Sequence, residues 1–119
     1  MREKGGERVY GDLGKWSDLR ACKDGDLTCR PLRRLAEAKA EFPGLVNHLM
    51  YGSDFFMMIK DVDWKRWPED IARAMKGSGF DANRLFHQNA MECFGLVPGG
   101  ANRARVETFF EGNLPAWMS

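Results

Sequence analysis

Long apolar runs are missing from this chain of 119 residues. The longest, Phe55-Phe-Met-Met-Ile59, falls far short of the roughly 20 residues that a bilayer-spanning helix requires, so no membrane span is expected. An excess of charge of one sign is also missing. Eighteen basic residues face seventeen acidic ones, for a net charge of +1, and no broad field is available to gather nucleic acid or anionic lipid. The cluster Arg30, Arg33, Arg34 is local and reads as a solvated helix face.

Histidine and cysteine, the usual ligands of zinc, are scarce. His48 and His87 are the only histidines, and the cysteines are Cys22, Cys29 and Cys93. Three cysteines do not make a disulfide framework, and the start, Met1 to Glu7, is charged and glycine-rich, unlike a secretory signal. These features predict a cytoplasmic chain with reduced thiols. The Cys22/Cys29 pair could close a loop or hold zinc, although two thiolates without a nearby histidine fall short of the usual four ligands.

What is present fits one compact domain over residues 1–119, since 44% of the residues are apolar and no linker or repeat divides them. Arg8 to Leu13 has strand character between glycines, and Lys15 to Thr28 reads as a loop with one helical turn. Pro31 opens a helix, with Leu32, Leu35 and Ala36 on one face, that runs to about Glu41 before Pro43-Gly44. A second strand ends near Tyr51 with Gly52-Ser53-Asp54 at its tip, and the apolar run from Phe55 is expected to be buried.

Three more helices are predicted. One spans Pro68 to Lys76, with Ile71 and Met75 on one face. The next is capped by Asp81 and ended by Gly95, and carries the amide of Asn89 on an otherwise apolar stripe of Leu85, Phe86, Ala90, Cys93 and Phe94. The last is capped by Asn102 and aligns Val106, Phe109 and Phe110 before Gly112 and Pro115. The expected fold class is α/β and mostly helical, with about two short strands and four helices.

Tyr51-Gly-Ser-Asp54, then Asn89-Ala90, then Phe94-Gly95-Leu96, in that order, resembles the closing segment of the amidohydrolase-related metal-dependent hydrolases. The resemblance implies that the two strands are parallel, the seventh and eighth of a barrel, and that the chain is a partial (β/α) barrel fragment. It also implies that Asp54 sits where the family places a carboxylate that ligates metal and handles a proton. A whole barrel takes roughly 250 residues and eight strand-helix units, so two units cannot close one.

A catalytic metal site needs about three protein ligands and an open position. The family's His-x-His pair and later strand histidines have no counterparts here, and His48 and His87 are expected to be ordinary surface or partly buried residues. Asp54 therefore has two readings: a catalytic or metal-binding carboxylate completed by a partner chain, or an inherited residue that caps the following turn. Asn89 is expected to hydrogen-bond a nearby loop.

Aromatic residues are abundant: Trp16, Trp64, Trp67 and Trp117 join Phe55-Phe56 and Phe109-Phe110. They exceed what a small two-strand core can enclose, which points to an exposed patch that binds another subunit. Three functions follow. The first is a noncatalytic amidohydrolase-like fragment that forms a homo-oligomer through its strand edges and aromatic surface, with no cofactor. The second is part of a metal-dependent hydrolase or decarboxylase that gains a divalent metal such as zinc when a longer amidohydrolase chain completes it. The third is a small-molecule binding module.

Overall fold

The computed structural model describes residues 9–14 and 16–118. The expected strand start at Arg8, the N-terminal stretch Met1 to Glu7 and the expected loop start at Lys15 lie outside the described residues. Among those described, the order is one strand, two α-helices, the second strand and four more α-helices, with short 3-10 turns and one π turn between or after them.

The strands β1 (Gly11–Asp12) and β2 (Leu49–Met50) pair in parallel, Gly11 opposite Leu49 and Asp12 opposite Met50. Amide bonds from Gly11 to the His48 carbonyl (2.9 Å) and from Leu13 to the Met50 carbonyl (3.0 Å) extend the ladder at both ends. The crossover between them carries α1 (Ser17–Arg20) and α2 (Arg30–Glu41), as parallel strands require. Pro31 in the first turn of α2 gives up only an amide that would have no helical partner, and the face bearing Leu32 and Leu35 is buried.

After β2 come α3 (Phe55–Met58) and α4 (Trp67–Met75). A π-helical turn, Arg84–Gln88, then runs directly into α5 (Asn89–Cys93), and α6 (Arg103–Phe109) precedes the C-terminal turn Ala116–Met118. The core gathers Leu13, Leu19, Leu32, Leu35, Leu49, Ile71, Met75 and Leu85, so α1, α2 and α4 close over the strands. Ile71 and Met75, the face expected from the sequence, are both buried.

Four sequence expectations need correction. The run Phe55 to Ile59 is not buried: Phe56 is 80% exposed and Phe55, Met57 and Ile59 are exposed beside it, because α3 is a single turn that directs only Met58 inward. The helix expected from Asp81 to Gly95 is not uniform, since a wide π turn interrupts it; Asp81 does accept the Arg84 amide as the cap (2.9 Å). Asn102 precedes α6, but its side chain does not cap it and instead donates to the Phe94 carbonyl (2.8 Å). Finally, Cys22 and Cys29 are joined in a disulfide rather than held as thiols. The turn between them, set by Asp26 accepting from the Thr28 amide and hydroxyl, brings their Cα atoms to 5.7 Å, within bonding range.

Candidate functional site

The carboxyl ends of β1 and β2 meet side by side, and each leads to an aspartate. Asp12 ends β1 and turns back to accept the Gly14 amide (2.7 Å). A Cβ on Gly52 would lie 2.5 Å from the Asp12 Oδ1, so Gly52 is what lets the second strand pass this carboxylate. Asp54 follows two residues later in the left-handed conformation (φ 43°), which aspartate tolerates better than most residues, and turns the chain into α3.

Asp54 does not cap that helix through its side chain. Its carbonyl does the work instead, accepting the amides of Met57 (2.9 Å) and Met58 (3.0 Å) while the exposed carboxylate faces solvent. The sequence pointed to Asp54 and missed Asp12 as a second carboxylate at the same end of the sheet. The signal available for it was the parallel pairing itself, which sets Asp12 opposite Met50, so that its side chain reaches Gly52 just beyond the strand end.

Each histidine has one ring nitrogen engaged by a backbone carbonyl. His48 Nδ1 lies 3.0 Å from the Val9 carbonyl, with its ring 4.9 Å from that of Tyr10, and His87 Nε2 lies 2.6 Å from the Trp117 carbonyl. A carbonyl only accepts, so each of these nitrogens carries a proton and is not a ligand lone pair. Among the described residues no three His, Cys, Asp or Glu side chains gather to hold a metal, so the residues of the sheet tip do not fit a divalent ion by themselves.

Asn89 behaves as expected from its place on an apolar stripe. It is fully buried, and its amide nitrogen donates to the carbonyls of Val46 and Leu49 (both 2.8 Å) while its oxygen accepts from Arg84 (3.2 Å). The π turn contributes to the same junction: the Asn89 amide reaches back to the Arg84 carbonyl, and the Leu85 carbonyl accepts the Tyr51 amide (2.8 Å). The tip loop that carries Asp54 is thus anchored at its base.

A second constellation, not foreseen from the sequence, lies between α1 and α4. Arg20 donates from Nε to Asp70 (2.7 Å) and from both terminal nitrogens to Asp63, while Arg73 reaches the other oxygen of Asp70 (3.3 Å). The Arg20 hydrogen bond holds both carboxyls below the usual aspartate range and raises the guanidinium further. The guanidinium lies 5.2 Å from the centre of the Trp67 ring, whose buried N–H has no acceptor among the described residues; such an unmade bond costs about 1–3 kcal/mol.

The apolar surface is concentrated near the sheet tip. Phe55, Phe56, Met57, Ile59 and Val62 are all exposed within eight positions of one another, and Phe55 stacks edge-on against Trp64 at 6.0 Å. Of the tryptophans, Trp67 is buried and Trp117 is exposed, with Trp16 and Trp64 between. No helix is long and apolar enough to cross a membrane among the described residues. No protein-family model matches the chain, and no match was found among curated proteins or solved structures.

Proposed function

We propose that this chain is a noncatalytic module, descended from the last two strand-helix units of an amidohydrolase barrel, that works by associating with a second copy of itself. The observation that carries the self-association is the exposed apolar segment Phe55 to Val62, with Phe56 at 80% and Val62 fully exposed. Solvated clusters of this kind mark interaction surfaces, and a stable interface buries about 800 Å² on each partner. The descent is supported by the parallel pair of strands with Gly52-Ser53-Asp54 following the second.

Light scattering on the full chain tests the association. The expected mass is twice the 13.6 kDa of one chain, falling to one chain in the double variant Phe56→Glu, Ile59→Glu. A wild-type protein that stays at one chain mass at high concentration overturns the proposal.

One observation favours a second reading, a metal-dependent hydrolase or decarboxylase completed by a longer amidohydrolase-like chain. Asp12 and Asp54 lie at the same end of a parallel sheet, the end that faces the site in barrel enzymes, and a partner could add the missing nitrogen ligands. Zinc measured in a co-purified complex, and lost in Asp54→Ala, is the expected result of that reading. Zinc content unchanged by the substitution removes Asp54 from it.

The cytoplasmic location expected from the sequence has a direct consequence for Cys22 and Cys29, because a reducing compartment keeps such pairs as thiols. Alkylation in intact cells followed by mass measurement distinguishes the two states. Three labelled cysteines place the chain in a reducing compartment, and labelling of Cys93 alone places it in an oxidising one.

A further inference from the structure

The two sulfurs of the Cys22–Cys29 bridge have unequal surroundings. Cys22, just past α1, is 1% exposed and belongs to the core, whereas Cys29 is half-buried and is the residue that opens α2. Its side chain makes no capping bond to that helix. Pro31 has no amide to offer, so the donor a capping side chain would meet is the Leu32 amide, which has no backbone acceptor among the described residues. Released from the bridge, a Cys29 thiolate gains that amide, the positive end of a 12-residue helix and the charge of the adjoining, exposed Arg30. The Cys22 sulfur lies 3.6 Å from the Asp18 carbonyl, so a thiol there also has its acceptor in place. Each sulfur thus has a partner in the fold without the covalent bond.

The helices on either side do not depend on the bridge for their packing. Arg20 ties α1 to α4 through Asp70 (2.7 Å), and Leu32 and Leu35 hold α2 in the core. What the bridge constrains is the loop between the cysteines. Gly25 at its tip, with φ 62°, donates its amide to the Ala74 carbonyl and passes so near the Lys76 carbonyl that a Cβ would lie 2.8 Å from it. The same loop brings Asp24 to the rim of a cleft of about 550 Å³ that also touches Met75, Phe80 and Leu85.

We propose that Cys22 and Cys29 form a reversible thiol–disulfide switch that fastens the loop tip to the end of α4 when oxidised and frees it when reduced. Cys29 is the sulfur that exchanges with outside thiols, and Cys22 is the buried sulfur that makes and breaks the internal bond. In the oxidising direction the Cys29 thiolate attacks a small disulfide, breaks its S–S bond and releases one thiolate. Cys22 gives its proton to water and attacks the Cys29 sulfur, releasing the second thiolate. The pair loses two electrons and the small disulfide becomes two thiols. A dithiol runs the sequence backwards: it attacks Cys29, expels the Cys22 thiolate, and leaves as a cyclic disulfide. The switch is independent of the self-association at α3.

Alkylation of the reduced full-length protein with iodoacetamide at pH 7, mapped by peptide mass, tests the assignment of the sulfurs. Cys93 is the internal reference: it is half-buried like Cys29 but ends α5, where helix carbonyls oppose a thiolate. Cys29 is expected to react about tenfold or more faster than Cys93, and Cys22 slowest of the three. With glutathione disulfide, Cys22→Ser is expected to stop at a mixed disulfide on Cys29, while the wild type proceeds to the Cys22–Cys29 bond. Hydrogen exchange at the Gly25 amide is expected to be about tenfold or more faster in the reduced protein, with the far-ultraviolet spectrum unchanged. A Cys29 rate no higher than that of Cys93, Gly25 exchange equal in the two states, or loss of the helical spectrum on reduction overturns the proposal.

Discussion

Asn89 shows how much one side chain can organise here. Its amide nitrogen bridges the carbonyls of Val46 and of Leu49, the first residue of β2, and the Asn89 side chain itself is fully buried. Asn89→Leu keeps the volume but leaves both carbonyls and one Arg84 contact unmet, at a cost of about 2–3 kcal/mol in unfolding free energy. Urea denaturation should show this as a lower midpoint with the same slope. Asp70 makes a different prediction, because its carboxyl is held below the usual range chiefly by the Arg20 hydrogen bond. The folded state then favours the charged form, so the contribution is complete above the unfolded carboxyl value of about 3.9 and is lost as pH falls through the lower folded value. Asp70→Asn is expected to lower stability by about 1–3 kcal/mol at pH 7 and to flatten the loss below pH 4, as read from urea midpoints at pH 7 and pH 3.

At the scale of elements, local rules account for some pieces and tertiary contacts for others. The helix expected from Pro31 is α2 and the one expected near Pro68 is α4, because in both a proline at the start agrees with an apolar face of helical period. The π turn at Arg84–Gln88 has no such local signal. It belongs to a junction in which the Leu85 carbonyl serves the Tyr51 amide and Asn89 serves β2, and both partners are some forty residues away or nearly so. The Phe55 run was misjudged for a related reason: hydrophobicity alone does not reveal that a four-residue helix turns one side chain inward and leaves the others out. Asp54 was legible as a strand-tip residue, whereas its left-handed backbone and the approach of Asp12 to Gly52 depend on the pairing of two strands distant in sequence.

The loop between Cys22 and Cys29 belongs to the same scale. Its Gly25 amide donates to the Ala74 carbonyl at the end of α4 (3.3 Å), so the bridge fixes a segment that also braces a core helix. Cys22 is itself buried, at 1% exposure. Closing so short a loop restricts the unfolded chain by about 2 kcal/mol. Reduction with a strong dithiol should therefore lower the urea midpoint by a corresponding amount without changing the far-ultraviolet spectrum at rest. An unchanged midpoint would mean that the contacts of Gly25 and Cys22, not the covalent bond, hold the loop.

For the molecule as a whole, shape and association are linked. The chain measures 48 × 41 × 22 Å and exposes 8094 Å², against about 6,600 Å² for a compact monomer of this mass. Part of the extra surface is the apolar segment from Phe55 to Val62. If a second copy covers that segment, folding and association become one equilibrium, and stability must depend on protein concentration. Each tenfold rise in concentration then adds about 1.4 kcal/mol to the free energy that separates the folded dimer from two unfolded chains. Melting followed by circular dichroism across two decades of concentration is expected to show a rising Tm in the wild type. In Phe56→Glu, Ile59→Glu the Tm is expected to be independent of concentration, because both substitutions lie at exposed positions and leave the core of α1, α2 and α4 intact. A wild-type Tm that does not move with concentration would mean that the apolar face is not coupled to folding, whatever else it binds.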